Sequence, residues 1–398
     1  MTGHAPPAVR PVVTGVGVLS AAGTGLDALA DAAAHGKTAF TAVTRFDVSA
    51  RRTGRAALLA EPMPLADAVL AAVDQACQQA GLPAGGASGE GGRSGEGDRR
   101  AATDRGAGPT ADRDDMPVLL ALHSDLNTRA VAAAVAAGAA AAWDLAGVTR
   151  VYTGACVAAG TAVADAAALV AAGRHRRVLV AAGHLVEPGV FAAFDAGRAL
   201  ARDGELRPFS AGRTGTLLGD AAAAVVIETE SEAGRRGAPV LARLAGWGRA
   251  GDAHHVCRPE PTGDGVARAV EAALARGGVS PAEVGYVNAN GTGSPLADGA
   301  EASALRRVFG AHTERLPVSS SKAVHGHALE ASALLELAVT IAALRDGRLP
   351  VNAGWLGPDP DVGLDLVLDG PRTERPRYAL TLNSAFGGAN TALLVAAR

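Results

Sequence analysis

The chain is 398 residues long, enough for two ordinary domains or one large two-lobed one, and its 48% hydrophobic and 19% charged residues are a globular balance. A net charge of -3 argues against a general nucleic-acid binder, and no stretch of about 18 strongly apolar residues runs uninterrupted, so a membrane span is not expected. Three widely spaced cysteines exclude a disulfide framework and, with no CxxC pair, a structural zinc site; they fit a reducing cytoplasm. With 3% aromatics, 51 glycines and abundant alanine, the core is expected to be closely packed small-residue helices and Val/Leu/Ile strands.

The N-terminal MTGHAPPAVRPVV lacks the charged and apolar regions of a leader, so none is expected. PVVTGVGVL (11–19) reads as a buried strand turning on Gly15 and Gly17, and residues 26–35 as the following helix. Residues 85–115 offer almost no large apolar side chain and read as a disordered surface loop. MPVLLALHS then reads as a strand, residues 130–142 as a buried Ala-rich helix, and residues 147–153 as a strand running into GACVAAG. Strands follow at 178–182 and 221–229, and the basic run Arg174 to Arg177 reads as a solvated face. The α/β alternation then starts again: strand 240–248, helix 265–276, strand 284–288, helix 298–309, strand 316–319, helix 331–344, and strands 378–383 and 391–396. The two successive halves, 1–250 and 251–398, predict a layered, internally duplicated α/β fold.

Cys156 lies where a strand ends and a helix begins, a place that biases a thiol towards the thiolate that attacks acyl groups and offers backbone N–H groups to an oxyanion. A lone cysteine can equally be a small buried core residue, which is the reading for Cys77. His325 and His327 flank Gly326 just before a helix, with Lys322 upstream; no further ligands at metal spacing accompany them, whereas His327 suits proton transfer to, or polarisation of, a thioester carbonyl. His254 and His255 read as loop residues. TGVGVLSAAG is not a dinucleotide loop, because Ser20 stands where the third glycine belongs and no acidic ribose partner follows. Asn290, in VNANGTGSPLAD, reads by itself as half of an Asn-Gly turn.

In order, VVTGVGVLSAAG, GACVAAG, RALARDGELRPFSAGRTGTLLGD, DAHHVCRPEPTGDG, NANGTGSPLADGAE, SSSKAVHGHALEASALLE and NSAFGGAN resemble the motifs of the β-ketoacyl-ACP synthase family, the condensing enzymes of fatty-acid and polyketide assembly, over nearly the whole chain. The resemblance implies a thiolase-like fold of five layers, αβαβα, usually dimeric. It implies no bound cofactor and no metal, the substrate being carried on the phosphopantetheine of an acyl carrier protein. It implies Cys156 as nucleophile, the N–H groups of Cys156 and Phe386 as oxyanion hole, His327 as second active-site histidine and Lys322 behind it. Asp298, Glu301 and Glu336 match supporting acidic residues, and Thr292 and Ser294 match hydroxyls that meet the pantetheine arm.

Asn290 stands where elongating members carry the first active-site histidine. An amide can donate a hydrogen bond to an oxyanion but cannot exchange a proton near neutral pH. The chain therefore resembles the non-elongating ketosynthases of modular systems, and acyl transfer onto Cys156 with impaired decarboxylative condensation is the expected activity. Two alternatives stay open: a chain-length-factor-like partner in a heterodimer with a catalytic ketosynthase, and a full 3-oxoacyl-ACP synthase with a Cys-Asn-His site. Glu330 and Ser332 alter the family's Gly-Ala-Ala-Gly, Cys257 replaces a common Thr, Asp220 a Glu, NSAFGGAN is one residue short, and the stretch from His123 to Cys156 is shortened where the family builds its dimer and acyl tunnel.

Overall fold

The computed structural model describes residues 9–84, 116–143, 145 and 147–398. The segment 85–115, expected to be disordered, lies outside the described residues. Ten strands carry the architecture: β1 (Pro11–Ser20), β2 (Val118–Leu122), β3 (Val148–Tyr152), β4 (Arg177–His184), β5 (Ala221–Thr229), β6 (Ala242–Gly251), β7 (Val284–Asn288), β8 (Pro317–Ser319), β9 (Tyr378–Ala385) and β10 (Ala389–Ala396). Their spatial order is β3-β2-β4-β5-β1-β6-β10-β9-β7-β8. Taken as β1–β5 and β6–β10, each set of five lies in the order third, second, fourth, fifth, first, so the repeat begins with β6 at Ala242 and not at residue 251. The pairing repeats as well: β2 is parallel to β3 and β4, as β7 is to β8 and β9, while β4/β5, β5/β1, β9/β10 and β10/β6 are antiparallel. The two half-sheets are joined where Val12 and Val13 of β1 pair with Arg243 and Ala242 of β6.

Helices fill the spaces on either side of the two half-sheets. Between them lie α1 (Leu26–Ala34), α4 (Ala158–Ala171) and α8 (Ser332–Asp346), whose alanines and leucines share one core cluster with β1, β4, β5, β6, β9 and β10. In α8 every residue from Ser332 to Leu344 is buried, as a helix surrounded by protein requires. Outside the first half-sheet pack α2 (Leu65–Gln79) and α3 (Thr128–Trp143); α5 (Pro188–Ala196) follows β4; outside the second half-sheet pack α6 (Asp264–Gly277) and α7 (Pro295–Phe309). The result is the expected αβαβα layering. No helix among the described residues is long and apolar enough to cross a membrane.

Three expectations need correction. The strand at residues 11–20 does not turn on Gly15 and Gly17 but continues through them, with a register shift between Val13 and Gly15. A Cβ at Gly15 or Gly17 would sit 2.0 or 1.9 Å from the carbonyl oxygens of Ala76 and Ala72, so these glycines let α2 lie directly on the strand. The device recurs in the second half, where a Cβ at Gly246 or Gly248 of β6 would sit 2.1 or 1.9 Å from the carbonyl oxygens of Ala273 and Ala269 in α6. The Ala-rich helix α3 is not buried throughout: only Ala132, Val135 and Ala139 are, because it lies in the outermost layer and turns one face to α2. Within the basic run, Arg177 is buried at the start of β4 and not part of a solvated face.

Candidate active site

The long helix beyond the third strand of each half, α4 and α8, is entered through a single 3-10 turn, Ala155–Val157 and Leu329–Ala331 respectively, and the two turns pack against each other. Each holds a non-glycine residue in a left-handed conformation, Ala155 with φ 51° and Leu329 with φ 39°. Cys156 sits in the first turn. His327 stands just ahead of the second, pinned by its N–H to the Leu217 carbonyl at 2.7 Å and by its own carbonyl to the Gly219 N–H at 3.0 Å. Gly326 before it has φ 75°, and a Cβ there would press to 2.7 Å from the Leu218 carbonyl oxygen. Across the pseudo-symmetric centre His327 Nε2 comes within 3.0 Å of Cys156 Sγ. Residues far apart in sequence thus meet because the duplicated fold sets the two helix entrances face to face.

The sequence suggested that the helix N-terminus would bias Cys156 towards thiolate; burial reverses this. With 4% of its surface exposed, the thiol is pushed up to about 12, chiefly by desolvation and then by the charge of Glu330. His327 is held well below the usual imidazole range, first by burial and then by the Lys322 charge. The resting pair is a neutral thiol facing a neutral imidazole. His327 Nδ1 lies 2.9 Å from Ser332 Oγ, which also accepts the Ala328 N–H at 3.0 Å. A hydroxyl both donates and accepts, so Ser332 can serve either imidazole tautomer, and His327 can take a proton at Nε2 in one step and return it in the next.

Asn290 follows β7 in a loop held from all sides. Glu301 of α7 accepts the N–H of Asn290 at 2.7 Å and of Gly291 at 2.9 Å; Ser320 donates to the Gly291 carbonyl at 2.8 Å. Asp298 accepts the N–H of Thr292 at 3.0 Å and of Phe209 at 2.8 Å and pairs with Arg213 at 3.5 Å, tying the loop to the central 209–213 segment. Burial pushes Asp298 up to about 6 and Glu301 up to about 7 against these hydrogen bonds. The left-handed positions of the loop belong to Gly291 (φ 28°) and Gly293 (φ 75°), and Asn290 is not among the positive-φ residues, so turn chemistry does not account for the asparagine. Its side chain does. Lys322 Nζ donates to Asn290 Oδ1 at 3.2 Å and forms an ion pair with Glu336 at 2.5 Å, whose other oxygen accepts Asn383 Nδ2 at 2.6 Å. An ammonium has only donors, so the amide oxygen must face Lys322 and Nδ2 must point away from it.

The remaining predicted residues divide. Phe386 lies in the β9–β10 turn, whose strand packs against the Cys156 turn; the Gly387 N–H donates to the Val256 carbonyl and the Gly388 N–H to the Ala385 carbonyl, and neither bond uses the Phe386 N–H. Its ring is 54% exposed and rests 5.7 Å from that of Phe194. Thr292 is half-buried, while Ser294 caps α7 by accepting the Ala297 N–H at 3.5 Å, which leaves its proton free for a ligand. His325 faces the other way from His327, with Nδ1 2.7 Å from the Gly326 carbonyl and Nε2 3.1 Å from Ser321 Oγ, and burial lowers it to about 3. Among the described residues no group of three or more His, Cys, Asp or Glu could hold a metal ion. Sequence reasoning flagged Asp220 only as a departure; it is a buried tie that accepts Arg45, the Leu59 N–H at 2.9 Å and the Val186 N–H at 2.7 Å. It also missed His184, which ends β4 beside Glu330.

The family models for the beta-ketoacyl synthase N-terminal and C-terminal domains match residues 63–233 and 241–355. Nodulation protein E of Rhizobium meliloti is 39% identical over 244 residues, 61% of this chain and 60% of that protein. The 3-oxoacyl-(acyl-carrier-protein) synthase 2 of Coxiella burnetii is 37% identical over 189 residues, 48% of this chain and 46% of that enzyme. The chain therefore matches 60% or less of the length of these curated relatives. The solved ishigamide ketosynthase/chain length factor superposes with a TM-score of 0.84 at 24% identity, covering 98% of this chain and 100% of that one. With both domain models matched in order across the duplicated, thiolase-type α/β layers, the chain belongs to the β-ketoacyl synthase family.

Proposed function

We propose that the chain is a ketosynthase-type acyltransferase that takes an acyl group from the pantetheine thioester of an acyl carrier protein onto Cys156 and condenses malonyl units poorly. The observation that carries this reading is the 3.0 Å approach of His327 Nε2 to Cys156 Sγ, together with the hydrogen bond by which Lys322 fixes the Asn290 amide. Cys156 Sγ attacks the thioester carbonyl while His327 takes the thiol proton. The N–H groups of Cys156 and Phe386 receive the oxyanion, and collapse expels the pantetheine sulfur, which recovers the proton from His327. Thr292 and Ser294, on the loop beside Asn290, are suited to meet the pantetheine arm. Decarboxylation of a malonyl thioester leaves an enolate, which Asn290 Nδ2 can stabilise with a hydrogen bond but cannot serve with a proton. The names of relatives that act on acyl-carrier-protein substrates support the choice of donor. Intact-mass measurement after incubation with acyl carrier protein thioesters tests the proposal: a single acyl adduct, absent in Cys156→Ala, is expected, and an unmodified chain or an adduct that survives the substitution sinks it.

A second reading, a subunit working in a pair with a catalytic ketosynthase, is favoured by β3. Among the described residues this strand is the open edge of the first half-sheet, every residue in it is partly or fully exposed, and Val151 is 40% exposed. The unpaired N–H and C=O groups of an open edge are a template for a strand of a second chain. Co-expression with a neighbouring ketosynthase separates the readings, since a partner subunit forms a stable one-to-one complex and is not acylated alone. The free cysteines support a reducing compartment such as the cytoplasm.

A further inference from the structure

Glu330 occupies the middle of the 3-10 turn that leads into α8, the counterpart of the turn carrying Cys156, and only 5% of it is exposed. His184, 1% exposed, ends β4 and brings Nδ1 to 3.6 Å from Glu330 Oε2, an ion-pair contact too long for a hydrogen bond. Among the described residues neither ring nitrogen of His184 nor Oε2 of Glu330 has a hydrogen-bond partner, so Nδ1 and Oε2 face each other buried and without a hydrogen bond. Buried polar atoms are rarely left so, because each forfeits its hydration without return. Burial works to raise the Glu330 carboxyl, but His184, and more weakly His123, pull it below its ordinary range, so it is a carboxylate at neutral pH. Its charge reaches the reacting sulfur, being the second cause, after burial, of the raised Cys156 thiol. The neighbouring Leu329 shares an apolar cluster with Cys156, Val186, Phe191 and Leu218. An acyl chain bound to Cys156 would thus extend among apolar side chains beside one unsatisfied polar point.

Resting on the acyl-transfer reading above, we propose that Glu330 and His184 select the acyl chain, favouring one that bears a hydroxyl group over a saturated chain of equal length. A hydroxyl donates to the carboxylate and accepts from the imidazole, meeting both orphaned partners with one atom, whereas a methylene meets neither. No proton transfer or bond breaking is asked of the pair, which acts as a specificity determinant.

The test compares octanoyl, β-hydroxyoctanoyl and δ-hydroxyoctanoyl thioesters of an acyl carrier protein in competition on the full chain, read as intact-mass adducts at Cys156. One hydroxyacyl chain is expected to load at least about tenfold faster than octanoyl, the value of one hydrogen bond to a charged group. Glu330→Gly is expected to abolish that preference while octanoyl loading rises. Should the glycine variant fail to fold, Glu330→Gln keeps the shape, removes the charge and is expected to narrow the preference. Equal loading of all three by the unaltered chain overturns the selection and leaves acyl transfer standing. No adduct from any of them overturns acyl transfer and the selection with it.

Discussion

The proposed division between transfer and condensation rests on one side chain, Asn290. Its oxygen is committed to Lys322, so only the Nδ2 N–H groups remain to meet a substrate. Asn290→His is expected to raise carbon dioxide release from malonyl carrier protein by at least about tenfold, the lower end of what a positioned acid or base supplies. No gain would place the limit at the other departures, Glu330 and Ser332. Cys156 makes a second prediction at this scale. Because its thiol is raised to about 12, it stays protonated through neutral pH, and iodoacetamide is expected to label exposed Cys257 first and Cys156 only as the pH climbs above about 9. Peptide mass spectrometry reads the order, and equal labelling at pH 7 would refute a neutral resting thiol. Asn290, Cys156 and His327 were legible in the sequence because each sits in a short local motif. Ser332 and His184 acquire meaning only from atoms that folding brings beside them, His327 and Glu330.

Among the elements, two glycine pairs and one acidic cradle hold the site's supports in place. Gly17→Ala would drive a Cβ to 1.9 Å from the Ala72 carbonyl, which belongs to a helix that cannot yield alone. A loss of at least about 3 kcal/mol in urea unfolding is expected, against less than about 0.5 kcal/mol for Gly251→Ala at a position with no atom within 4 Å. The cradle of Asp298 and Glu301 carries a pH signature. Both carboxyls are raised in the folded chain, to about 6 and about 7, so between about pH 4 and 7 the folded state keeps protons that the unfolded chain has released. Their contribution is full below about pH 4 and is lost as the pH rises through 6 to 7. The melting temperature is expected to fall between pH 5 and 8, and Glu301→Gln to flatten that slope while lowering stability by about 1 to 3 kcal/mol, because its amide would turn a donor towards a backbone donor. A slope unchanged by the substitution would assign the pH dependence elsewhere. The order and type of these elements followed from periodicity, whereas Gly15 and Gly17 looked like a turn because a glycine's packing partner is invisible in sequence.

For the whole molecule, duplication is the governing fact, since it makes two helix entrances face each other and leaves β3 as the open edge. The chain is expected to form a dimer, with itself or with a sister ketosynthase, through that edge. Val151→Lys, which places a charge on it, is expected to raise the dimer dissociation constant at least about tenfold in sedimentation, with the circular dichroism unchanged. A monomer at all concentrations, with or without the sister chain, would count against assembly through β3. By itself the sequence determined the alternating α/β order, the repeat of the halves and the motif that holds each reacting group, because hydrophobic periodicity and turn chemistry are local. Tertiary structure alone decided that Cys156 rests as a thiol, that Lys322 orients Asn290, and that Glu330 and His184 meet unsatisfied beside the nucleophile. Those outcomes depend on burial and on distances between residues remote in the chain, and neither quantity exists until the layers have packed.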